Sequence, residues 1–172
     1  KVCIENGASI INDISAGNLD TKMMETIAKY NVPYIMMHLR GTPQTMQSMT
    51  NYENIVKEIL FYFSERIAKA RSFGINDLII DPGFGFGKTV PQNYEILRRL
   101  REFASFELPL LVGLSRKSMI GAITGRPASH RIVPSAVLAV LAADGGAAFI
   151  RVHDVAETAD ALAVWRATKG EL

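Results

Sequence analysis

Cysteine is nearly missing from this sequence: Cys3 is the only one in 172 residues. An internal disulfide and a thiolate metal cluster are therefore excluded, and a reducing, cytoplasmic setting is the expectation. Nor is there an uncharged apolar run approaching about 18 residues, so no membrane span is expected. Excess charge is absent too. The net charge is only +2, and Lys and Arg are not gathered into a basic arm, which argues against nucleic acid as a partner. Lys1-Val2-Cys3-Ile4-Glu5 does not read as a signal peptide and has no initiator methionine, so the expectation is a chain that starts inside a longer protein. No linker, low-complexity segment or charge run divides it, and residues 1–172 are expected to form one domain.

What the sequence does contain is ample apolar material, 48% of residues, arranged as short apolar runs alternating with amphipathic segments. Strands are expected at Ser9–Asp13, Pro33–Met37, Leu78–Asp81, Leu110–Leu114 and Phe149–His153. All are nearly continuously apolar, as parallel strands covered on both faces are. Capping-box patterns at Thr50–Glu53, Thr89–Gln92 and Asp154–Glu157 are expected to open helices. The first helix carries a stripe of Ile55, Ile59, Phe63, Ile67 and Ala70; the last carries Ala159, Leu162 and Trp165. Asp81, Lys117 and His153 are spaced by 36 residues twice over. That is close to the repeat of a (β/α)8 barrel, about 250 residues over eight units. Five βα units fit either a five-stranded doubly wound sheet or the C-terminal part of such a barrel lacking its first three units.

Each expected strand ends on a polar group: Asn12-Asp13, His38 to Gly41, Asp81, Ser115 to Ser118, and Arg151 to Asp154. In parallel α/β folds those ends form the ligand face. The octapeptide Asp81-Pro82-Gly83-Phe84-Gly85-Phe86-Gly87-Lys88 stands out among them. Its glycines are entropically expensive, and it holds two phenylalanines on a loop. It is not a phosphate loop, because Pro82 occupies the place of the first required glycine, and Gly83-x-Gly85-x-Gly87 is not a dinucleotide fingerprint. Lys88 is expected to be a solvated loop lysine. His38 is expected to be a hydrogen-bonded structural histidine and His130 to be solvated. No metal cage is visible.

Taken together, Ile11–Ser15, Met37-His38 with Gly41-Thr42-Pro43, Asp81–Lys88, Gly113 with Ser115–Ser118, and Arg151–Asp154 resemble the dihydropteroate synthase family. The motifs occur in the family's order and cover essentially the whole chain. The resemblance implies a TIM barrel of which the five units are strands four to eight. It also implies an enzyme of folate biosynthesis, a sulfonamide target, that joins a dihydropterin methyl pyrophosphate to p-aminobenzoate. Two departures touch no implied ligand: Ala16 and Pro134 stand where the family commonly has glycine.

The resemblance implies a pterin site of Asn12, Met37, Asp81, Gly85, Phe86, Lys117 and Arg151. Asp81 would accept two hydrogen bonds in a fork from the guanidine-like edge of the ring. Asn12 would serve the remaining ring nitrogens, and Lys117 the carbonyl oxygen and N5. Arg151 and His153, alternating along a strand end, would hold the pyrophosphate, and with Lys117 they are the implied catalytic residues. Phe86, Arg116 and Ser118 would lie near p-aminobenzoate. Magnesium is the implied cofactor, with its protein ligand upstream of this chain and none within it. A homodimer through C-terminal helices is implied for the complete protein. The five units alone are expected to be inactive and poorly soluble, with unpaired strand edges. A pterin-binding methyltransferase-type barrel and a non-enzymatic flavodoxin-like module with strand order 2-1-3-4-5 are the alternatives.

Overall fold

The computed structural model describes residues 1–170. Five parallel strands follow in chain order: β1 (Ile11–Asp13), β2 (Tyr34–Met37), β3 (Leu78–Asp81), β4 (Leu111–Val112) and β5 (Phe149–Ile150). β1, β2 and β3 pair in sequence, as do β4 and β5, and a parallel bridge from Ile80 to Leu110 joins the two groups. This sequential order excludes the flavodoxin-like alternative, which requires the first two strands to exchange places. The fold is α/β. Strands one, four and five are shorter than expected, and strand two by one residue; beyond Ile150 the chain leaves the ladder, though the Arg151 N–H still reaches across to the Val112 carbonyl at 2.9 Å.

The helix α1 (Val2–Glu5) precedes the strands; between them run α2 (Met23–Tyr30), α3 (Ile55–Ser72), α4 (Val90–Arg98), α5 (Ser118–Thr124) and α6 (Ile132–Asp144), and α7 (Val155–Thr168) follows the last. The expected stripe of α3 is wholly buried, with Phe63 at its centre. Burial of a side chain of that size contributes roughly 1.5–3 kcal/mol. The cap of α3 is Asn54 rather than Thr50. Its Oδ1 accepts the Lys57 N–H, while Glu58 reaches back to the N–H groups of Glu53 and Asn54. Thr50 instead gives its carbonyl to Gln92. The capping box at Thr89 and Gln92 is formed as expected. At α7 it is not, because the Asp154 carboxylate is drawn to Arg116. Nor does α7 bury the expected stripe: Thr158 is its buried residue, Leu162 and Trp165 are half-buried and Ala159 is exposed.

The period of two along a strand separates two faces. Tyr34, Met36, Leu78, Ile80, Leu110 and Val112 join the helices in the main core. Ile35, Ile79 and Leu111 form a second cluster on the opposite face. Two residues further along that second face come Met37, Asp81 and Gly113. Asn12, paired with Ile35, and Arg151, two residues beyond Phe149, share it. Among the described residues, no helix is long and apolar enough to cross a membrane.

Candidate active site

β3 delivers Asp81 to the C-terminal strand ends, where it is only 7% exposed. One carboxylate oxygen accepts the Gly83 N–H at 2.8 Å, which tightens the turn and leaves the other oxygen unengaged by that bond. Burial is the dominant influence on the carboxyl and raises its pKa; the Gly83 N–H, Lys117, Lys88 and Arg151 pull it back down. The turn needs glycine. Gly83 has φ +72°, and a Cβ there would collide with the His38 carbonyl oxygen. Phe84 is buried in the helix-side core, whereas Phe86 is half-buried beside Lys117.

Lys117 precedes α5 and crosses to this loop. Its ammonium donates to the Phe84 carbonyl and lies 4.7 Å from the centre of the Phe86 ring. Gly85, with φ +80°, leaves the room: a Cβ there would stand 3.3 Å from the Lys117 Cδ. Burial lowers Lys117 to about 8, with Asp81 opposing and Arg151 adding to the shift. Met37 is buried, its side chain packed beside Gly83. Asn12 is exposed on the same inner face.

A cleft of about 510 Å³ opens between β4 and β5, lined by Gly113, Ser115, Lys117, Arg151 and His153 among others. Gly113 admits the Arg151 guanidinium, whose atoms would stand 3.5 Å from a Cβ there. Ser115 receives the His153 N–H at 3.2 Å and meets the imidazole Nδ1 at 3.0 Å. Arg116 lies at the rim in a left-handed conformation, φ +57°. Its Nε donates to Asp154 at 3.0 Å, and the pair lowers the Asp154 carboxyl and raises the guanidinium. Ser118 opens α5 and is exposed. The structure thus brings Asp81, Gly85, Phe86, Lys117 and Arg151 into one mouth, while the Arg116 side chain is held at its edge.

Lys88 overturns its expectation. It is 5% exposed, not solvated, and its ammonium donates to the carbonyls of Gly83 and Phe86 and to the His38 Nδ1, at 2.9, 2.9 and 3.0 Å. The reason is positional: Thr89 caps α4, so the residue before it is turned back under the glycine loop. His38 is indeed a buried structural histidine. Burial first, then Lys88 and Arg40, holds its imidazole well below the usual range, so it stays neutral and Nδ1 accepts. His130 is exposed beside Ser129, as expected.

Three further residues have parts that the sequence reading did not assign. Asn93 accepts the Gly85 N–H at 2.7 Å and donates to the carbonyls of Lys88 and Thr89. Its sequence signal was a polar residue on the apolar stripe of α4. Asp13 gathers the N–H groups of Ser15 and Gly17 and the hydroxyls of Ser15 and Tyr34. Arg131 donates to the carbonyls of Arg116, Lys117 and Arg126, fastening the loop after β4. Among the described residues, no group of three or more His, Cys, Asp or Glu side chains stands ready to hold a metal.

Comparison with known proteins gives this mouth its context. Residues 1–153 match the family described as pterin binding enzyme. A dihydropteroate synthase of Haemophilus influenzae is 46% identical over 164 residues, covering 94% of this chain and 59% of that protein. The crystal structure of the Yersinia pestis dihydropteroate synthase with a sulfonamide drug superposes with a TM-score of 0.94 at 42% identity, covering 98% of this chain and 62% of that one. The Xanthomonas albilineans dihydropteroate synthase with 4-aminobenzoic acid gives 0.90 at 39%, covering 96% and 59%. The likeness identifies a TIM-barrel family, and the chain spans about 59% of the length of the Haemophilus protein. The chain belongs to the pterin binding enzyme family, and the relatives described above are dihydropteroate synthases.

Proposed function

We propose that the complete protein carrying this chain is a dihydropteroate synthase, joining a 6-hydroxymethyl-dihydropterin pyrophosphate to p-aminobenzoate with release of pyrophosphate. The observation that carries the reading is a buried carboxylate, Asp81, facing Lys117 and Arg151 across one mouth at the strand ends. A flat ring with paired donors suits the carboxylate, and a departing anion suits the cations. The Xanthomonas relative's 4-aminobenzoic acid supports the second substrate. We read the five strands as the fourth to eighth of the family's barrel, in a single domain.

In this reading Asp81 takes the amino and N–H edge of the pterin in a fork. Asn12 takes the remaining ring nitrogens, Lys117 the carbonyl oxygen, and Met37, Gly85 and Phe86 the faces and edge. The C–O bond to pyrophosphate breaks, leaving a resonance-stabilised pterin methylene cation, and both bonding electrons leave with the oxygen. Arg151 and His153 stabilise that developing charge. The arylamine nitrogen, held near Phe86, Arg116 and Ser118, then attacks the methylene and loses a proton. Magnesium does not fit the donors of this chain: the mouth offers one carboxylate among Lys117, Arg151 and His153, a balance that suits an anion. A homodimer through the C-terminal helices is supported by α6, which is apolar all round yet leaves Val133, Val137 and Leu141 more than half exposed. The lone cysteine fits a cytoplasmic setting.

The test is an assay of the complete protein for pyrophosphate release. Release that requires both the pterin pyrophosphate and p-aminobenzoate is the expected result. An intact protein inert with both contradicts the reading, and binding of methyl-tetrahydrofolate without arylamine dependence favours the methyltransferase-type alternative.

A further inference from the structure

The proposed ligand contacts leave two buried polar side chains beneath the glycine loop without a task. Lys88 and Asn93 are 5% and 2% exposed. A buried ammonium is among the more costly groups a protein can hold, and no carboxylate bonds to this one. Its three N–H donors are instead spent on three acceptors, and two of these, the Gly83 and Phe86 carbonyls, belong to the loop itself. The third, His38 Nδ1, follows β2, so Lys88 also ties the loop to the neighbouring strand end. Asn93 holds the same loop from α4. It accepts the N–H of Gly85, the residue between the two phenylalanines, and donates to the Lys88 carbonyl. The Tyr52 hydroxyl donates to the Gly87 carbonyl at 3.1 Å, completing the set.

We infer that Lys88 and Asn93 are positioning residues of the active site, which fix the glycine loop before substrate arrives and so set the Asp81 carboxylate, Gly85 and the Phe86 ring in their binding geometry. The inference rests on the proposed pterin site. Hydrophobic packing alone would leave such a loop free to move, since among its residues Phe84 is the one apolar side chain that enters the main core. Polar atoms aimed at named carbonyls and one named N–H specify a shape rather than a volume. A displacement near 1 Å at reacting groups is enough to lower kcat/KM on the order of a hundredfold.

The experiment uses the complete protein, with Lys88→Met and Asn93→Ala made singly and each combined with Asp81→Asn. Binding of 6-hydroxymethylpterin is measured by calorimetry, folding by near-UV circular dichroism, and loop ordering by hydrogen exchange of the Gly85 and Phe86 amides. The expected result is a folded protein in which each single change weakens pterin binding about tenfold or more, the value of a lost hydrogen bond or two. That penalty should largely vanish when Asp81 is already Asn, because a positioning residue acts through the group it positions. An equal penalty in both backgrounds, or unchanged affinity, overturns the inference. Should both variants fail to fold, exchange in the unsubstituted protein decides: amides protected without ligand support it, and amides exchanging freely until pterin is added overturn it. Failure of the unsubstituted protein to bind pterin at all speaks against the proposed function instead, and the ligand-free protection still reads the ordering of the loop.

Discussion

The segments after β3 and β5 answer the same demand, a polar strand end facing the mouth, in opposite ways. Asp81–Lys88 is buried over most of its length and tied by its own Asp81, by Lys88 and by Asn93. Arg151–Asp154 lies nearer solvent; two backbone N–H groups, Arg151 to Val112 and His153 to Ser115, hold it to β4 and its loop. A rigid, desolvated loop suits recognition of a flat ring by a carboxylate, since misplacing either partner of a forked bond loses both hydrogen bonds. An exposed cationic end suits an anion that must leave. The contrast teaches that one mouth can combine a fixed anchor with an open exit.

Binding gives the sharpest way to break that comparison. Asp81→Asn keeps the side chain's shape but turns a donor toward the ring, and it should weaken 6-hydroxymethylpterin binding on the order of a hundredfold by calorimetry. His153→Ala should leave that pterin within about threefold while lowering turnover of the pyrophosphate substrate on the order of tenfold, read by pyrophosphate release. Equal effects of the two changes on the unphosphorylated pterin would erase the division between anchor and exit.

Stability should follow the same line. Gly83→Ala forces a left-handed residue into the His38 carbonyl, and should cost more than about 3 kcal/mol by denaturant unfolding. His153→Ala, on an exposed segment with one side-chain contact, should cost less than about 1 kcal/mol.

Stability should also depend on pH. Burial lowers Lys88 from its ordinary 10.5 to about 7 and Lys117 to about 8. Between about pH 7 and 10.5 the unfolded chain therefore binds more protons than the folded one, so stability rises with pH across that window. Asp81, raised by burial, works with the opposite sign on the acid side. Lys88→Met should remove the part of the slope that begins near 7 and keep the part, due to Lys117, that begins near 8. Denaturation midpoints between pH 6.5 and 10 measure both.

Much of this was legible in the residues. Continuous apolar runs marked parallel strands because both faces of β2 and β3 are covered, and the α3 stripe located its buried side. The ligand face followed from polar groups at successive strand ends. Lys88 was not legible, because a lysine after a glycine run reads as solvated unless its acceptors are known, and these are backbone carbonyls folded over it. The cap of α3 moved from Thr50 to Asn54 because Thr50 lies on a loop whose carbonyl meets Gln92. Asp154 looked like a cap, yet a guanidinium 38 residues earlier in the chain claimed its carboxylate. Local pattern names the residue, and tertiary partners decide its task.

The central claim is that Asp81 anchors a pterin while Arg151 and His153 face its leaving group. A crystal structure of the complete protein with a 6-hydroxymethylpterin pyrophosphate tests it most directly. The account predicts the ring's amino and N–H edge on the two Asp81 oxygens, with the phosphates beside Arg151 and His153. A ring bound elsewhere, or reversed with its phosphates toward Asp81, would contradict it.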